Sequence, residues 1–186
     1  MIRFFDFVFS FFGILVLLPL GLIIYIAGLF DTGHHIFKQQ RVGKNQKPFT
    51  LLKFRTMSIN TKSVATHLIS SNSVTKLGGF LRKFKFDELP QLINVLKGDM
   101  SLVGPRPNLF NQKELIKKRS QKGIYDYLPG ITGLAQISKI DMSNPEKLAK
   151  ADAEMLNNLN AKKYFQYIFA TLSGKGSGDR IKPNKK

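Results

Sequence analysis

The sequence predicts an α/β fold: one compact, mostly helical domain with a short β-hairpin, preceded by an apolar N-terminal helix. Three observations lead there. Residues 7–30, "FVFSFFGILVLLPLGLIIYIAGLF", carry no charge. "HIFKQQRVGKNQKPFTLLKFRTM" then reads as two strands joined by a Gly/Asn turn, with imperfect alternation. Most of the chain beyond the hairpin shows helical spacing of apolar residues. A length of 186 residues fits one domain with a short appendage and is enough to bury a real core. The expected division is a membrane helix at 1–30, a folded domain at 31–173 and a disordered basic tail at 174–186.

The apolar run would be roughly 36 Å long as a straight helix, enough to cross a bilayer core of about 30 Å. It is too long for a signal peptide, and no clean small-residue cleavage site comes after it. Two readings remain from the residues alone: a spanning helix, or one that enters, bends and leaves on the same side. Pro19 lies near the middle, where it lacks an N–H and clashes with the Leu15 carbonyl, so a kink is expected. Arg3 precedes the run and Lys38, Arg41 and Lys44 follow it, which suits both ends facing the cytoplasm.

Beyond the hairpin, "SINTKSVATHLISSNS" reads as a polar loop. "VTKLGGFLRKF" reads as a short helix weakened by Gly78 and Gly79. "DELPQLINVL" is a stronger helix, with Leu89, Leu92, Ile93 and Leu96 on one face. "KGDMSLVGPRP" returns as a loop, and "PEKLAKADAEMLNNL" as a helix. "AKKYFQYIFATL" carries an apolar stripe of Tyr164, Phe165, Ile168, Phe169 and Leu172 beside Lys162 and Lys163. That stripe fits either a core or a membrane surface.

Lys and Arg total 29 against 12 Asp and Glu, a net charge of +17, so anionic partners are expected: nucleic acid, an acidic membrane or phosphorylated substrates. The absence of cysteine excludes disulfides and thiolate metal sites. His34, His35 and His67 lack metal-ligand spacing.

In so basic a chain the adjacent carboxylates Asp87 and Glu88, in "RKFKFDELPQ", raise two readings. Asp87 can be a helix N-cap, worth ~1 kcal/mol, with Glu88 favouring the helix dipole in the first turn. It can also be a nucleophile towards a phosphoryl group, if cations neutralise the phosphate oxygens. Arg82, Lys83, Lys85 and Arg106 lie close enough in sequence to do so. Arg106 stands between two prolines in "GPRP", which restricts the backbone and presents a planar bidentate donor at little ordering cost.

"KFDELPQLINVLKGDMSLVGPRP" together with "PGITGLAQ" resembles the bacterial sugar transferase family, the monotopic phosphoglycosyl transferases. "QQRVGKNQKPFTLLKFRTMS" and "RFFDFVFS" are similar to it as well. The resemblance covers most of the chain up to the last helix, in the family's order and in its minimal single-domain form. It implies transfer of a phosphosugar from a UDP-sugar to a polyprenyl (undecaprenyl) phosphate, with release of UMP. It implies Asp87 as nucleophile, Glu88 assisting Mg²⁺ binding and catalysis, and Lys53 and Arg82 near the phosphates. Arg106 falls on a substrate-contacting position, and Asp152 on an acidic position of the later helix that binds substrate. It also implies a Pro-broken re-entrant helix at Pro19, contact with membrane lipids, and a place on the cytoplasmic face of the bacterial inner membrane. No nucleic acid is expected. Two departures stand out: Leu18 where the family has Ser before the breaking proline, and "SKI", Ser138–Ile140, where Asn-Gly-Arg is common. Lys139 is the nearest replacement for that Arg. Two other readings compete: a membrane-anchored basic nucleic-acid-binding protein, which gives the carboxylates no task, and an inactive scaffold of the same fold.

Overall fold

The computed structural model describes residues 1–59, 61 and 73–176. The expected polar loop at 58–73 therefore lies largely outside the described residues, as do His67 and most of the basic tail.

The apolar run forms α1 (Ile2–Thr32), closed by Gly33 in the left-handed region, whose N–H donates to the Leu29 carbonyl. Pro19 sits inside α1 and does not end it, so the expected break is not a division into two helices. A proline removes one backbone donor, and packing on both sides of it holds the two halves. A methyl at Gly13 would lie 3.4 Å from Leu92, and Leu20 and Ile24 share an apolar cluster with Phe54 and Leu81. The amphipathic sense of α1 is inverted. Asp6 and Ser10 are buried, while Phe7, Phe12, Val16, Ile23 and Phe30 are exposed. A helix that turns its polar residues inward and its apolar ones outward is suited to lipid rather than water.

Asp6 fastens the start of α1. Its Oδ1 accepts from Ser101 Oγ, Leu102 N and Tyr164 OH, each at 2.9 Å, and its Oδ2 accepts from Arg3 at 3.2 Å. Burial and the Asp6 carboxylate push the Tyr164 phenol up, so it stays a donor. Arg3 also donates to the carbonyls of Met100 and Val95.

β1 (Ile36–Val42) and β2 (Pro48–Phe54) form the expected antiparallel hairpin, in register from Ile36↔Phe54 to Val42↔Pro48. The connection takes Asn45 to φ 53° and Gln46 to φ 58°. The imperfect alternation of β2 has a structural cause. Phe49, Leu51 and Lys53 share one face, as residues two apart must, and Phe54 is buried on the other with Ile24 and Leu81. The strand is covered on both sides at this end.

α2 (Lys76–Lys83) is capped by Thr75, whose Oγ1 accepts from Gly78 N at 2.9 Å. Gly78 is needed where it stands: a Cβ there would overlap the Thr56 carbonyl. α3 (Gln91–Lys97) begins only after Pro90, which occupies its N-cap. Its buried face is Gln91, Asn94 and Val95, not the apolar stripe expected from the sequence, and Ile93 is exposed. The reason is Asn94. Its Oδ1 accepts from Leu52 N at 3.0 Å and its amide donates to the Thr50 carbonyl at 2.8 Å, so the side chain completes the outer edge of β2. Leu92 is left to face α1. Asn94→Leu is therefore expected to lower stability by roughly 1–3 kcal/mol, since two part-buried backbone groups lose their partner. A chemical-denaturation midpoint equal to the parent's would contradict this.

The segment expected as a loop, "KGDMSLVGPRP", contains β3 (Ser101–Val103), which pairs parallel with β4 (Gly130–Thr132). Strands of three residues are too short to show a period. Gly104 and Gly130 let these two segments approach closely, since a Cβ on Gly130 would overlap the Gly104 backbone. α4 (Lys113–Ser120) and α5 (Leu134–Ile137) are short. α6 (Pro145–Asn157) and α7 (Ala161–Leu172) match the expected helices and are capped by Asn144 and Asn160. α7 buries Tyr164 and Tyr167 in the core with Val103, Ile124 and Met155, and leaves Phe169 and Leu172 exposed.

Candidate active site

Asp87 lies in the middle of a single 3-10 turn, Phe86–Glu88, set between α2 and α3. It is not the N-cap of α3, which corrects the sequence expectation. Lys85 enters the turn at φ 59°, a left-handed conformation that costs a non-glycine residue free energy. The reversal turns the two carboxylates back towards β2.

Lys53 is waiting there. Its place on the Phe49 and Leu51 face of β2 carries the ammonium inward, to 2.9 Å from Glu88 Oε1 and 3.9 Å from Asp87 Oδ2. Arg106 reaches the same Glu88 oxygen at 3.1 Å. All four side chains are largely shielded from solvent. Four of the expected site residues, from β2, the 3-10 turn and the loop after β3, thus converge. Such charge-assisted bonds are strong where water is scarce, and the Lys53–Glu88 pair does not depend on Arg106 or Asp87. Lys85 stands beside the cluster. Burial, and to a lesser degree Arg106, push its ammonium below the ordinary lysine range, against the pull of Glu88 and Asp87.

Arg82 is placed differently. On α2, one turn before the carboxylates, it donates from Nε to Thr56 Oγ1 at 2.8 Å. One of its terminal nitrogens is buried with no hydrogen-bond partner among the described residues. A buried guanidinium nitrogen in that state is prepared for an acceptor.

Asp152, expected to bind substrate, is not brought to the cluster. It is fully buried on α6 and its Oδ2 accepts from both Nε and a terminal nitrogen of Arg119, at 3.0 and 2.7 Å. Burial pushes its carboxyl up, with Arg119 opposing. The other terminal nitrogen of Arg119 donates to the Arg106 carbonyl at 2.8 Å and to Asn108 Oδ1 at 2.9 Å. Tyr125 donates to the same Asn108 oxygen, and Arg41 donates to the Pro107 carbonyl at 3.0 Å. Asp152 therefore acts behind the Pro-Arg-Pro loop, fixing the backbone that presents Arg106. Sequence reasoning missed Arg119, Asn108 and Asn94. A single Arg in "KELIKKRS" carries no signal that sets it apart from a solvated face.

Among the described residues, no three His, Cys, Asp or Glu side chains gather as a metal site. Mg²⁺ is commonly held by one or two carboxylates together with substrate phosphates. The Asp87–Glu88 pair supplies two such carboxylates, so the donor set fits that mode.

The family described as "Bacterial sugar transferase" matches residues 1–175. The chain is 38% identical over 156 residues to the undecaprenyl-phosphate galactose phosphotransferase of Salmonella typhimurium, covering 73% of this chain and 32% of that protein. It is 37% identical over 153 residues to the UDP-glucose:undecaprenyl-phosphate glucose-1-phosphate transferase of Escherichia coli, covering 77% and 33%. It is 33% identical over 189 residues to the exopolysaccharide production protein ExoY of Sinorhizobium fredii, covering 91% and 83%. The chain thus spans about a third of the length of the first two relatives and most of the third. With the match running from the first residue of α1 through the carboxylate turn, the Pro-Arg-Pro loop and α7, the chain belongs to the bacterial sugar transferase family.

Proposed function

We propose that this chain transfers a phosphosugar from a UDP-sugar to a membrane polyprenyl phosphate, in two steps through Asp87. The observation that carries the reading is the shielded carboxylate pair bridged by Lys53 and Arg106, in a domain bound to an apolar helix. In the first step an Asp87 carboxylate oxygen attacks the sugar-bearing phosphorus. The bond from that phosphorus to the bridging oxygen breaks, and UMP leaves with the electron pair. In the second, an oxygen of the polyprenyl phosphate attacks the same phosphorus and the carboxylate leaves, giving polyprenyl-diphosphate-sugar. Glu88 holds Lys53 and Arg106 beside the reacting carboxylate, where their charge offsets that of the phosphates. Mg²⁺ bound at the pair would supply further neutralisation of phosphate charge. Purified protein screened against a panel of UDP-sugars with undecaprenyl phosphate should release UMP with at least one of them. UDP in place of UMP would mean that the sugar moves without its phosphate.

The reading includes a monotopic placement on the cytoplasmic face of the membrane, with α1 re-entrant about Pro19. Support comes from both ends of α1 meeting the same domain. Arg3 and Asp6 bind α3 and β3 at one end, and Asp31 accepts from Thr75 Oγ1 at 2.6 Å at the other. A helix crossing to the far side would carry one of those ends away. Cysteines placed at residue 1 and on α4 should both be labelled from the cytoplasmic side in oriented vesicles. Labelling from opposite sides would restore a spanning helix.

A further inference from the structure

Three phenylalanines stand together immediately before the carboxylate pair. The rings of Phe80 and Phe84 lie 4.9 Å apart, Phe84 and Phe86 stack at 5.7 Å, and Phe80 and Phe86 are 6.4 Å apart. Phe80 is 53% exposed and Phe84 50% exposed, so the patch is open to an apolar occupant. Phe86 belongs to the apolar cluster that contains Leu20 and Ile24 of α1, and it is joined directly to Asp87. Phe86 therefore links the exposed Phe80–Phe84 pair to the inner side of α1 and to the turn that holds Asp87.

Cations flank this surface. Lys83 Nζ lies 5.6 Å from the Phe84 ring centroid, and Arg82, on the same short helix, holds the buried nitrogen that has no partner among the described residues. An apolar track that ends at cations beside a nucleophile suits an anion on a long hydrocarbon tail. A UDP-sugar has no such tail.

We propose that Phe80, Phe84 and Phe86 form the track for the prenyl chain of the acceptor lipid next to its phosphate, with that phosphate directed towards Arg82. The proposal rests on the two-step transfer through Asp87 and extends it to the acceptor. Isoprene units are flat alkenes bearing methyl groups, and aromatic faces give them large contact area. The track also sets the approach: a chain lying along these rings delivers its phosphate to the turn that holds Asp87.

The test compares the full chain with the double variants Phe80→Ser/Phe84→Ser and Phe80→Leu/Phe84→Leu. Titration calorimetry in detergent with undecaprenyl phosphate, without any sugar donor, gives Kd. Pelleting with phosphatidylglycerol vesicles gives membrane affinity, and a thermal melt checks the fold. The serine pair should raise Kd about tenfold or more, equivalent to about 1.4 kcal/mol, with vesicle pelleting retained because α1 supplies the anchor. The leucine pair keeps apolar area and should stay within about threefold of the parent. An unchanged Kd in the serine pair overturns the proposal. So does a parallel loss of vesicle pelleting, which would make the rings a contact for bulk lipid. If the serine pair does not fold, the single variants Phe80→Ser and Phe84→Ser take its place, both rings being about half exposed: a Kd raised about threefold or more in either supports the track, and an unchanged Kd in both overturns it. Failure of the two-step transfer is visible separately, as absence of UMP release by the parent protein from every UDP-sugar when the lipid is omitted.

Discussion

Asp87→Asn should give a folded protein that forms no covalent adduct. The substitution keeps the size and shape of the side chain and removes its charge. Lys53 remains paired, because its shorter contact is to Glu88, at 2.9 Å against 3.9 Å to Asp87. The turn itself is held by backbone bonds, Glu88 N to the Lys85 carbonyl and Leu89 N to the Phe86 carbonyl. A neutral amide is no nucleophile towards phosphorus, so turnover should fall on the order of 10⁴-fold or more. The distinguishing experiment omits the lipid. With UDP-sugar and Mg²⁺ alone, the parent should release about one UMP per active site and retain a phosphosugar on the protein, as a covalent mechanism requires. Asp87→Asn should release none. A folded variant that turns over at the parent rate would remove Asp87 from the reaction and leave direct attack by the lipid phosphate.

The hairpin and the last two helices were legible because they depend on local signals: a Gly/Asn turn between β-like runs, and helical spacing such as the stripe of Tyr164, Phe165, Ile168, Phe169 and Leu172. The position of the carboxylates was legible, but their conformation was not. Asp87 before Leu-Pro reads as a helix start, yet the reversal at Lys85 and the cap at Pro90 put it in a turn of its own. The residue types of α3 pointed to Leu92 and Ile93 as its inner face. Asn94 overrides that pattern, because an amide can satisfy an exposed strand edge and a leucine cannot. Family resemblance put Lys53 and Glu88 at one site, but their direct pairing, 35 residues apart, had no sequence signal. The pairing of Arg119 with Asp152 had no sequence signature, since burial of one Arg in a Lys-rich helix is decided by tertiary packing.

Arg106→Ala should reduce kcat/KM by roughly 10²–10³-fold, or about 3–4 kcal/mol of transition-state stabilisation, if the guanidinium contacts the transferring phosphate. The loop should keep its shape without that side chain. Its backbone is held independently, by Arg119 at the Arg106 carbonyl, Arg41 at the Pro107 carbonyl, and Gly130 N at the Pro105 carbonyl. The fold is therefore preserved while a cation beside Glu88 is lost. Arg106→Lys restores charge but not the planar fork, and should recover only part of the rate. Asp152→Asn gives the contrasting case. It weakens the buried pair that orients Arg119, so it should lower thermal stability as well as activity. Arg106→Ala should lower activity with little change in the melt. Equal losses of stability in both variants would mean that Arg106 serves the loop rather than the substrate. Unchanged kcat/KM in Arg106→Ala would take it out of the site altogether.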